Sequence, residues 1–450
     1  MSSPQSVKSA LLRSDVDRLM SCSDWYPFLF NDHDDRILGI LPRWVIVVGN
    51  DGDIVRLDRQ AVGRFEPSVV SVPLREALAE GLATLPSLPT EQSGFTGGMA
   101  GWLGYDLHSD SSEEHDKLRP DFPKACIAGF DAFIRLPAGN DQPATLHAAT
   151  EELHQRIRSR LNSRSAIAAF SIAGNFRQLM PADEYAKAFR QVQAYLHSGD
   201  CYQVNLAQAF QADCTGSGLE AFQHLDSISH PPYAAYLSSP YGEILSLSPE
   251  LFLQFEHGRV TTRPIKGTRP RGLDAMTDDR MAADLASHPK DRAENLMIVD
   301  LLRNDLGKHA ITGSVQVNDL FLIESFAHVH HMTSEIECCL RPDSHPLDML
   351  LDAFPGGSIT GAPKRRAMEI IDELENFGRS VYCGSIGYLT SDGRGEWNIA
   401  IRTLLKVGDT LFAWAGGGIV ADSVCEDEYQ ECFNKIGPLL TALEERFGKR

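Results

Sequence analysis

The amino-acid sequence predicts a mixed α+β sandwich. Short apolar segments bounded by turn residues follow one another in runs, and a few long amphipathic helices interrupt them at irregular intervals. Regular alternation of strand and helix would instead predict a doubly wound parallel sheet. A length of 450 residues with 43% apolar residues supports a large core, in one big domain or in two closely packed halves.

Net charge and cysteine usage exclude several classes of function. The formal charge of −19 predicts no general affinity for nucleic acid or for an anionic membrane. The N-terminus lacks a signal-peptide pattern, and apolar runs such as residues 44–48 are too short to span a bilayer. Nine cysteines without metal-binding spacing predict reduced thiols, and hence a cytoplasmic protein. An anionic substrate would need a local cluster of positive charge.

The chain divides into an N-terminal region, 1–140, and a larger region, 178–447, packed as one unit. In the first, a buried strand is expected at 43–49, a helix at 72–82, a tightly packed glycine-rich strand at 94–105 and an exposed loop at 108–121. A connector, helical at 151–161, follows.

The second region begins with a helix at 183–197, for which Asp183 is the candidate N-cap. Further strands are predicted at 202–211, 233–237, 243–248, 251–255, 260–262, 384–389, 397–405 and 410–415, and further helices at 291–306, 363–375 and 425–447. Three glycines, Gly416 to Gly418, are expected to end the last strand.

Acidic side chains on two of these helices are candidate ligands for a hard cation. Glu294 lies on the helix at 291–306, while Glu428, Glu431 and Lys435 share one face of the C-terminal helix. Taken singly, each pattern is more typical of solvated acids or a salt-bridge ladder. Two inward carboxylates from two helices would suit Mg²⁺, which completes its octahedron with water and substrate oxygens.

Two glycine-rich segments are candidate anion sites. Residues 355–364 (PGGSITGAPK) lead into a helix with Pro363 in its first turn, where free backbone N–H groups favour an anion. The glycines at 416–418 would offer bare amides to a carboxylate. Tyr388 and Arg402 lie on neighbouring predicted strands, and Arg402 could hold a carboxylate by two parallel hydrogen bonds.

One lysine stands in an unusual setting. Lys266 lies in the segment TTRPIKGTRPRG (261–272), with arginines at 263, 269 and 271. A basic turn with solvated charges is the ordinary interpretation of such a segment. The other motifs favour a functional lysine instead.

Together these segments resemble the chorismate-utilising enzymes. The resemblance rests on PIKGT (264–268), KDRAEN (290–295), PGGSITGAPK (355–364), GSIGYL (384–389), IRTL (401–404), AGGGIVADS (415–423) and EYQECFNK (428–435), in the family's order. It covers about the last 270 residues, and GWLGYDL (101–107) extends it loosely into the N-terminal third. It implies a two-part β-sandwich with helices packed on the outside.

Two positions imply which reaction the chain catalyses. Anthranilate-forming relatives carry alanine where this chain has Lys266, and isochorismate- and salicylate-forming relatives carry a lysine base where it has Gln203. The pair therefore resembles the members that make 4-amino-4-deoxychorismate for folate and p-aminobenzoate synthesis. Anthranilate formation is the nearest alternative, and a non-catalytic chorismate- or tryptophan-binding subunit is an alternative from another class.

The resemblance also implies roles for individual residues. Lys266 would attack chorismate after burial and the arginines lower its pKa, and Glu250 would protonate the departing hydroxyl. Glu294 and Glu431 would hold Mg²⁺, with Glu428 as an outer partner. Substrate contacts are assigned to Gln203, His331, Thr360, Tyr388, Arg402, Gly416, Gly417, Gly418 and Lys435.

A partner and a second pocket are implied as well. No cysteine stands in a Gly-x-Cys-x-Gly setting, so a separate glutaminase subunit would supply ammonia from glutamine. Some relatives hold tryptophan in the N-terminal half, behind a serine that this chain replaces with Asn31. The replacement argues against tryptophan binding. The walls of that pocket would include Asn31, Arg36, Pro232, Tyr233 and Ala234.

Overall fold

The computed structural model describes residues 7–60, 64–88, 94–108, 117–138, 142–161, 167–326 and 329–448. Within these ranges, 24 strands form two twelve-stranded sheets with helices around them, so the predicted α+β class is confirmed. The strands are β1 Val7–Leu11, β2 Phe28–Asp32, β3 Asp35–Gly39, β4 Trp44–Val48, β5 Ile54–Arg59, β6 Phe65–Val69, β7 Gly98–Leu103, β8 Ala125–Phe130, β9 Ala132–Leu136, β10 Ala144–Ala148, β11 Ser171–Gln178, β12 Gln203–Thr215, β13 Tyr233–Ser239, β14 Gly242–Ser248, β15 Leu251–Glu256, β16 Arg259–Arg263, β17 Ile265–Pro270, β18 Gln316–Ser325, β19 Val329–Cys339, β20 Gly361–Ala362, β21 Ser385–Thr390, β22 Gly395–Asn398, β23 Thr403–Val407 and β24 Thr410–Ile419.

Ten α-helices are described in the same ranges. They are α1 Arg13–Met20, α2 Leu74–Ala83, α3 Glu151–Leu161, α4 Ala182–Ser198, α5 Leu219–Ser229, α6 Ala275–Ser287, α7 Pro289–Gly307, α8 Pro346–Ala353, α9 Lys364–Leu374 and α10 Cys425–Phe447. Short 3₁₀ turns occur at Ser23–Trp25, Tyr105–His108 and Gly357–Ile359. Most of the loop predicted at 108–121 lies outside the described residues, because positions 109–116 are not among them.

Both sheets contain strands from both ends of the chain. The first has the order β1-β10-β9-β3-β2-β13-β14-β23-β24-β12-β11, with β20 beside β12. The second has the order β17-β19-β16-β15-β22-β21-β7-β8-β4-β5-β6, with β18 beside β19. The pairs β2–β13 and β7–β21 join the N-terminal third to the rest, so the two predicted regions share one pair of sheets.

Amphipathic periodicity explains α4, which covers the edge of the first sheet. Tyr185, Ala188, Phe189 and Val192 are buried at helical spacing, and Gly199 ends the helix with a φ of 83° that favours glycine. The sequence predicts Asp183 as the N-cap, and this prediction is wrong. Pro181 occupies the cap position with extended backbone, and the helix begins at Ala182.

The segment predicted as one strand at 397–405 belongs to two strands in different sheets. β22 ends at Asn398 in the second sheet, and β23 begins at Thr403 in the first. Between them Arg402 takes a φ of 52°, which turns the chain from one sheet to the other. Periodicity alone does not reveal such a crossing, because both halves of the segment are apolar.

A second crossing lies beside the first. β14 ends at Ser248 in the first sheet, and β15 begins at Leu251 in the second. The two crossings are joined, because the Ser248 hydroxyl donates to Ile399 O at 2.6 Å and Ile399 N donates to Glu250 O at 3.0 Å. The candidate site is built around this pair of crossings.

The last strand also differs from the prediction. β24 continues through the three glycines to Ile419 and pairs with β12 along its whole length. Helix α10 packs against β24, and its residues Cys432, Ile436 and Leu443 are buried. Among the described helices, none combines the length and apolar character needed to cross a membrane.

Candidate active site

Lys266 lies at the start of β17, facing the crossings between the sheets. Its Nζ donates to the backbone oxygen of Ser358 at 2.9 Å. Burial lowers the pKa of the amine and nearby Lys435 adds to this, while Glu294 and Glu250 oppose it. The Lys266 side chain is half-buried. Protein surrounds most of it and part of its surface stays accessible, as expected for a group in the wall of a pocket. Gly267 is required next to it, because its φ is 84° and a Cβ would lie 2.8 Å from Leu285.

The neighbouring arginines do not lower the pKa of Lys266, contrary to the expectation from sequence. Arg263 pairs with Glu324 at 2.8 Å, Arg269 with Asp291 at 2.9 Å, and Arg271 pairs with an aspartate of α6. Carboxylates therefore neutralise all three guanidinium groups. The effect on the Lys266 amine comes from burial and from Lys435 instead.

Glu250 stands at the β14–β15 crossing and, like Lys266, contacts Ser358. The Ser358 hydroxyl donates to Glu250 Oε1 at 2.6 Å, and Glu250 is only 4% exposed. Burial raises the pKa of this carboxyl, while Ser358 and Lys266 partly offset the rise. A carboxyl with a raised pKa next to an amine with a lowered pKa is the arrangement expected for an acid and a nucleophile at one site.

Three carboxylates from α7 and α10 meet around two lysines. Lys290 Nζ lies 3.1 Å from Glu428 Oε1 and 3.9 Å from Glu294 Oε1. Lys435 Nζ lies 2.6 Å from Glu431 Oε1 and donates to Gly416 O at 2.9 Å. Burial raises the pKa of Glu294. For Glu431, burial acts in the same direction, but Lys435 holds its pKa below the ordinary value.

These carboxylates fit Mg²⁺. Among the described residues, no three His, Cys, Asp or Glu side chains gather closely enough to hold a metal by themselves. One or two carboxylates, with the other positions left to water and substrate oxygens, are nevertheless the usual protein contribution to Mg²⁺. Glu294 and Glu431 offer hard oxygens from two helices, and both affect the pKa of Lys266. Glu428 lies beside them, bonded to Ser423 at 2.6 Å.

Alternate glycines of β24 turn their amides away from β12. On the opposing strand, Asn205 N donates to Thr360 O and Ala207 N donates to Glu375, so neither amide points at β24. Their antiparallel partners, Gly418 and Gly416, therefore direct their own N–H groups to the other edge. β23 pairs with β24 only up to Ala413, so this edge is open beside the site. Gly417 faces α10, where a Cβ would lie 3.0 Å from Glu428 Oε2.

Arg402 supplies a cation at the β22–β23 crossing. Burial lowers the pKa of its guanidinium, and the Tyr382 phenol opposes this. No carboxylate of the described residues forms a salt bridge with it. A half-buried guanidinium without a counter-ion among the described residues is suited to bind a carboxylate of a ligand.

The structure separates Tyr388 from Arg402. Its hydroxyl donates to Asp32 Oδ1 at 2.9 Å, and its ring packs on Phe30 at 4.8 Å and on Phe95 at 5.5 Å. The assignment of Tyr388 to the carboxylate beside Arg402 is therefore wrong. Successive residues of a strand face opposite sides, and Tyr388 faces β2. Tyr382, six residues earlier, is the tyrosine at Arg402.

Gln203, His331 and Thr360 complete the walls of the site. Gln203 is fully buried beside Gly418, and neither atom of its amide has a hydrogen-bond partner in the described part of the chain. Burial lowers the pKa of His331 to about 4, Arg402 adds to this, and the ring nitrogen Nδ1 lies 2.9 Å from Thr268 Oγ1. The buried Thr360 hydroxyl donates to Gly356 O at 3.1 Å. An unsatisfied buried amide points to a polar ligand.

A buried ion pair supports the loop that carries Ser358. Arg379 is bonded to Glu375 at 2.7 Å, to Asn205 O at 2.6 Å and to Ile359 O at 3.3 Å. Both charged side chains are about 1% exposed. The pair therefore ties the 3₁₀ turn Gly357–Ile359 to β12.

The residues of the expected tryptophan pocket lie together in the first sheet. Asn31 Nδ2 donates to the backbone oxygens of Pro231 and Pro232 at 3.1 and 3.0 Å. Arg36 donates to Asn31 Oδ1 at 3.2 Å and pairs with Asp226. Tyr233 and Ala234 begin β13, which pairs with β2. The polar groups here bond to one another, and the prediction that Asn31 disfavours tryptophan binding stays a prediction.

Sequence reasoning missed three residues of the site: Lys290, Ser358 and Tyr382. Lys290 and Ser358 lie inside two recognised motifs, KDRAEN and PGGSITGAPK. Their position in those motifs could have identified them as residues of the site. Tyr382 precedes the GSIGYL segment and had no such signal.

Comparison with known proteins identifies the family of this chain. The family model described as chorismate binding enzyme matches residues 43–441. The chain belongs to the chorismate-binding enzymes. It is 46% identical over 363 residues to aminodeoxychorismate synthase component 1 of Salmonella typhimurium, covering 80% of this chain and 78% of that one. It is also 46% identical over 355 residues to the protein of the same name from Escherichia coli, covering 78% of each.

Solved chorismate-binding enzymes share the fold. Anthranilate synthase component I of Streptococcus pneumoniae superposes with a TM-score of 0.76 at 28% identity, over 90% of this chain and 92% of that one. The menaquinone-specific isochorismate synthase MenF of Escherichia coli superposes with a TM-score of 0.72 at 17% identity, over 98% and 95%. At that identity the second likeness shows the fold alone.

Proposed function

We propose that this chain converts chorismate and ammonia to 4-amino-4-deoxychorismate through a covalent intermediate on Lys266. The observation that carries the proposal is the environment of that lysine. Its amine is held by Ser358 O, its pKa is lowered by burial, and Glu250 is bonded to the same serine. The proteins named aminodeoxychorismate synthase component 1, at 46% identity, support the same reaction.

In the first step, the neutral Lys266 amine adds to ring carbon C2 as the C4–O bond breaks. The two ring double bonds shift, and the Glu250 carboxyl gives its proton to the departing oxygen, which leaves as water. The adduct keeps its secondary ammonium. In the second step ammonia adds at C4, the double bonds shift back, and the C2–N bond breaks, so Lys266 leaves as a neutral amine. The new C4 ammonium then returns a proton to the Glu250 carboxylate, which restores the acid. The enolpyruvyl group is retained throughout.

The other groups of the site would hold the substrate, a dianion. Arg402 and the N–H groups of Gly416 and Gly418 would bind the enolpyruvyl carboxylate, and Tyr382 would support Arg402. The Gln203 amide and neutral His331 would contact the ring and its oxygens. Glu294 and Glu431 would hold Mg²⁺ near the ring carboxylate, with Glu428 as an outer partner and with Lys290 and Lys435 balancing the negative charge. When bound, the ion draws electron density from the conjugated ring.

Ammonia would come from a separate glutaminase subunit in the cytoplasm. All nine cysteines fall within the described ranges and are unpaired, and eight are buried or partly buried. The exposed one, Cys339, lies at the end of β19, away from Lys266. None is placed as a glutaminase nucleophile, which supports a partner chain as the source of nitrogen.

Product analysis tests the proposed function. Purified protein with chorismate, Mg²⁺ and an ammonium salt should form 4-amino-4-deoxychorismate, identified by mass spectrometry, and a glutaminase subunit with glutamine should replace the ammonium salt. Formation of anthranilate without an added lyase would contradict the proposal. The exposed Lys187→Ala variant, whose lysine is 68% exposed on α4, is the matched control and should give the wild-type product at the wild-type rate.

A further inference from the structure

We infer that Ser358 is a positioning residue that sets the geometry of the nucleophile and the acid at once. The inference rests on the proposed function of Lys266 and Glu250. One residue contacts both groups through two different atoms. Its backbone oxygen accepts from Lys266 Nζ at 2.9 Å, and its hydroxyl donates to Glu250 Oε1 at 2.6 Å.

The backbone contact prepares the lysine for attack. A neutral amine that donates an N–H to a carbonyl oxygen keeps its lone pair free for the substrate. The same carbonyl would bind an ammonium group even more strongly, so the contact orients the nitrogen and does not itself lower its pKa. Lys266 is thereby oriented before the substrate binds.

The hydroxyl contact selects the oxygen of Glu250 that carries the acidic proton. Because Oε1 accepts a hydrogen bond from Ser358, we expect the proton of the neutral carboxyl on Oε2. The same bond favours the ionised form, so it keeps the rise in the pKa of Glu250 smaller than burial alone would make it. An acid whose pKa rose further would release its proton less readily.

The surrounding structure holds Ser358 rigidly enough for this role. It lies in the 3₁₀ turn Gly357–Ile359 and is 7% exposed. The carbonyl of Ile359 accepts from Asn205 Nδ2 at 2.8 Å and from Arg379 at 3.3 Å, and the carbonyl of Gly356 accepts from Thr360. The carbonyl of Gly357 also accepts from Thr360, at 3.4 Å, so the carbonyls directly before and after that of Ser358 are both held.

Ser358→Ala separates the two contacts, because it removes the hydroxyl and keeps the backbone oxygen. We expect kcat to fall about 10- to 100-fold, less than the roughly 10²- to 10⁴-fold attributed to a complete general acid. The rate should fall at high pH as Glu250 loses its proton, and Glu250→Gln should abolish this limb of the pH–rate profile. In Ser358→Ala the same limb should move to higher pH, while the affinity for chorismate stays unchanged. Ser358→Cys, which keeps a weaker donor, should lie between Ser358→Ala and wild type in both readouts.

Ser246→Ala is the matched control. Ser246 is a fully buried serine of β14 whose hydroxyl bonds to Thr403 at 2.9 Å, away from Glu250, so its loss should leave the pH profile in place. If Ser358→Ala does not fold, judged by thermal unfolding, Ser358→Cys carries the test. An unchanged rate, or a lower rate with an unmoved limb, would overturn the inference. Wild-type protein that makes no 4-amino-4-deoxychorismate would instead overturn the proposed function.

Discussion

The chemistry of single residues at this site depends on what surrounds them. Lys266 has three carboxylates in its neighbourhood, Glu294, Glu250 and Glu431, yet burial outweighs them and lowers the pKa of its amine. His331 is neutral for the same reason, with a pKa of about 4. The arginines at 263, 269 and 271, by contrast, are paired with acids and add no net positive charge to the site.

Replacing Lys266 tests its role as the nucleophile. Lys266→Ala should abolish the covalent adduct seen by mass spectrometry of protein quenched during turnover with chorismate. It should also lower formation of 4-amino-4-deoxychorismate by at least about 10³-fold, because no other amine is held at that position. The exposed Lys187→Ala variant should form the adduct normally. An adduct that persists in Lys266→Ala would assign the nucleophile to another residue.

At the scale of elements, the site depends on close contact between α10 and β24. Gly417 faces the helix, and a Cβ there would lie 3.0 Å from Glu428 Oε2 and 3.6 Å from Glu431 Oε1. Glycine is needed at position 417 because it allows α10 to approach β24 closely. No unusual backbone angle requires it. Without a side chain at this position, the helix can place its carboxylates beside the open edge of the strand.

Gly417→Ala should therefore weaken Mg²⁺ binding while leaving the fold intact. We expect the dissociation constant for Mg²⁺, measured by calorimetry, to rise about tenfold, which is ~1.4 kcal/mol. Glu431→Gln should weaken binding further, because it removes a ligand. Gly307→Ala, at the end of α7 where a Cβ meets no atom within 4 Å, is the control and should leave Mg²⁺ affinity unchanged. Wild-type affinity in both Gly417→Ala and Glu431→Gln would move the metal elsewhere.

The buried pair between Arg379 and Glu375 is a second element-scale requirement. Arg379→Met should cost ~3–5 kcal/mol in the free energy of unfolding, measured with urea, because it leaves Glu375 buried without a counter-ion. Arg365→Met is the matched control, since Arg365 is 95% exposed on α9 and pairs with Glu369 at the surface. Its cost should stay within about 0.5 kcal/mol. Equal costs for the two variants would contradict the structural role of the buried pair.

At the scale of the whole molecule, most charged groups lie at the surface, and a few titratable groups lie in the interior. Burial lowers the pKa of His147 to about 4, and burial raises the pKa of Glu396 to about 8. Between pH 6.5 and 4 the unfolded chain binds the proton at position 147 more strongly, so His147 lowers stability as the pH falls. Between pH 4.5 and 8 the folded protein binds the proton of Glu396 more strongly, so Glu396 lowers stability as the pH rises.

The two groups should therefore give opposite pH slopes. The unfolding free energy of His147→Gln, relative to wild type, should improve as the pH falls from 6.5 to 4, by at most about 3 kcal/mol. That of Glu396→Gln should improve as the pH rises from 4.5 to 8. Urea unfolding of both variants and wild type across this range measures the slopes. Parallel curves would show that neither group changes its pKa on folding.

Much of the site could be predicted from the sequence because its residues lie in short, contiguous motifs. Lys266, Glu250, Glu294 and Glu431 were each singled out, and the structure brings all four together around Ser358 and α10. Several elements were also recognisable from local periodicity, among them α3, α4 and α10. These features depend on neighbours within one or two helical turns, which a single sequence contains.

Tertiary structure alone decided which residues of those motifs face one another. It placed Arg402 at a crossing between two sheets instead of within a strand, turned Tyr388 toward Asp32, and brought Tyr382 to Arg402. It also revealed that Lys290 reaches Glu428 and that Ser358 joins Lys266 to Glu250. The order of the motifs and the position of Lys266 within them are local properties of the chain. The face that each strand residue presents depends on register with strands hundreds of residues away, and that register is decided only when both sheets are assembled.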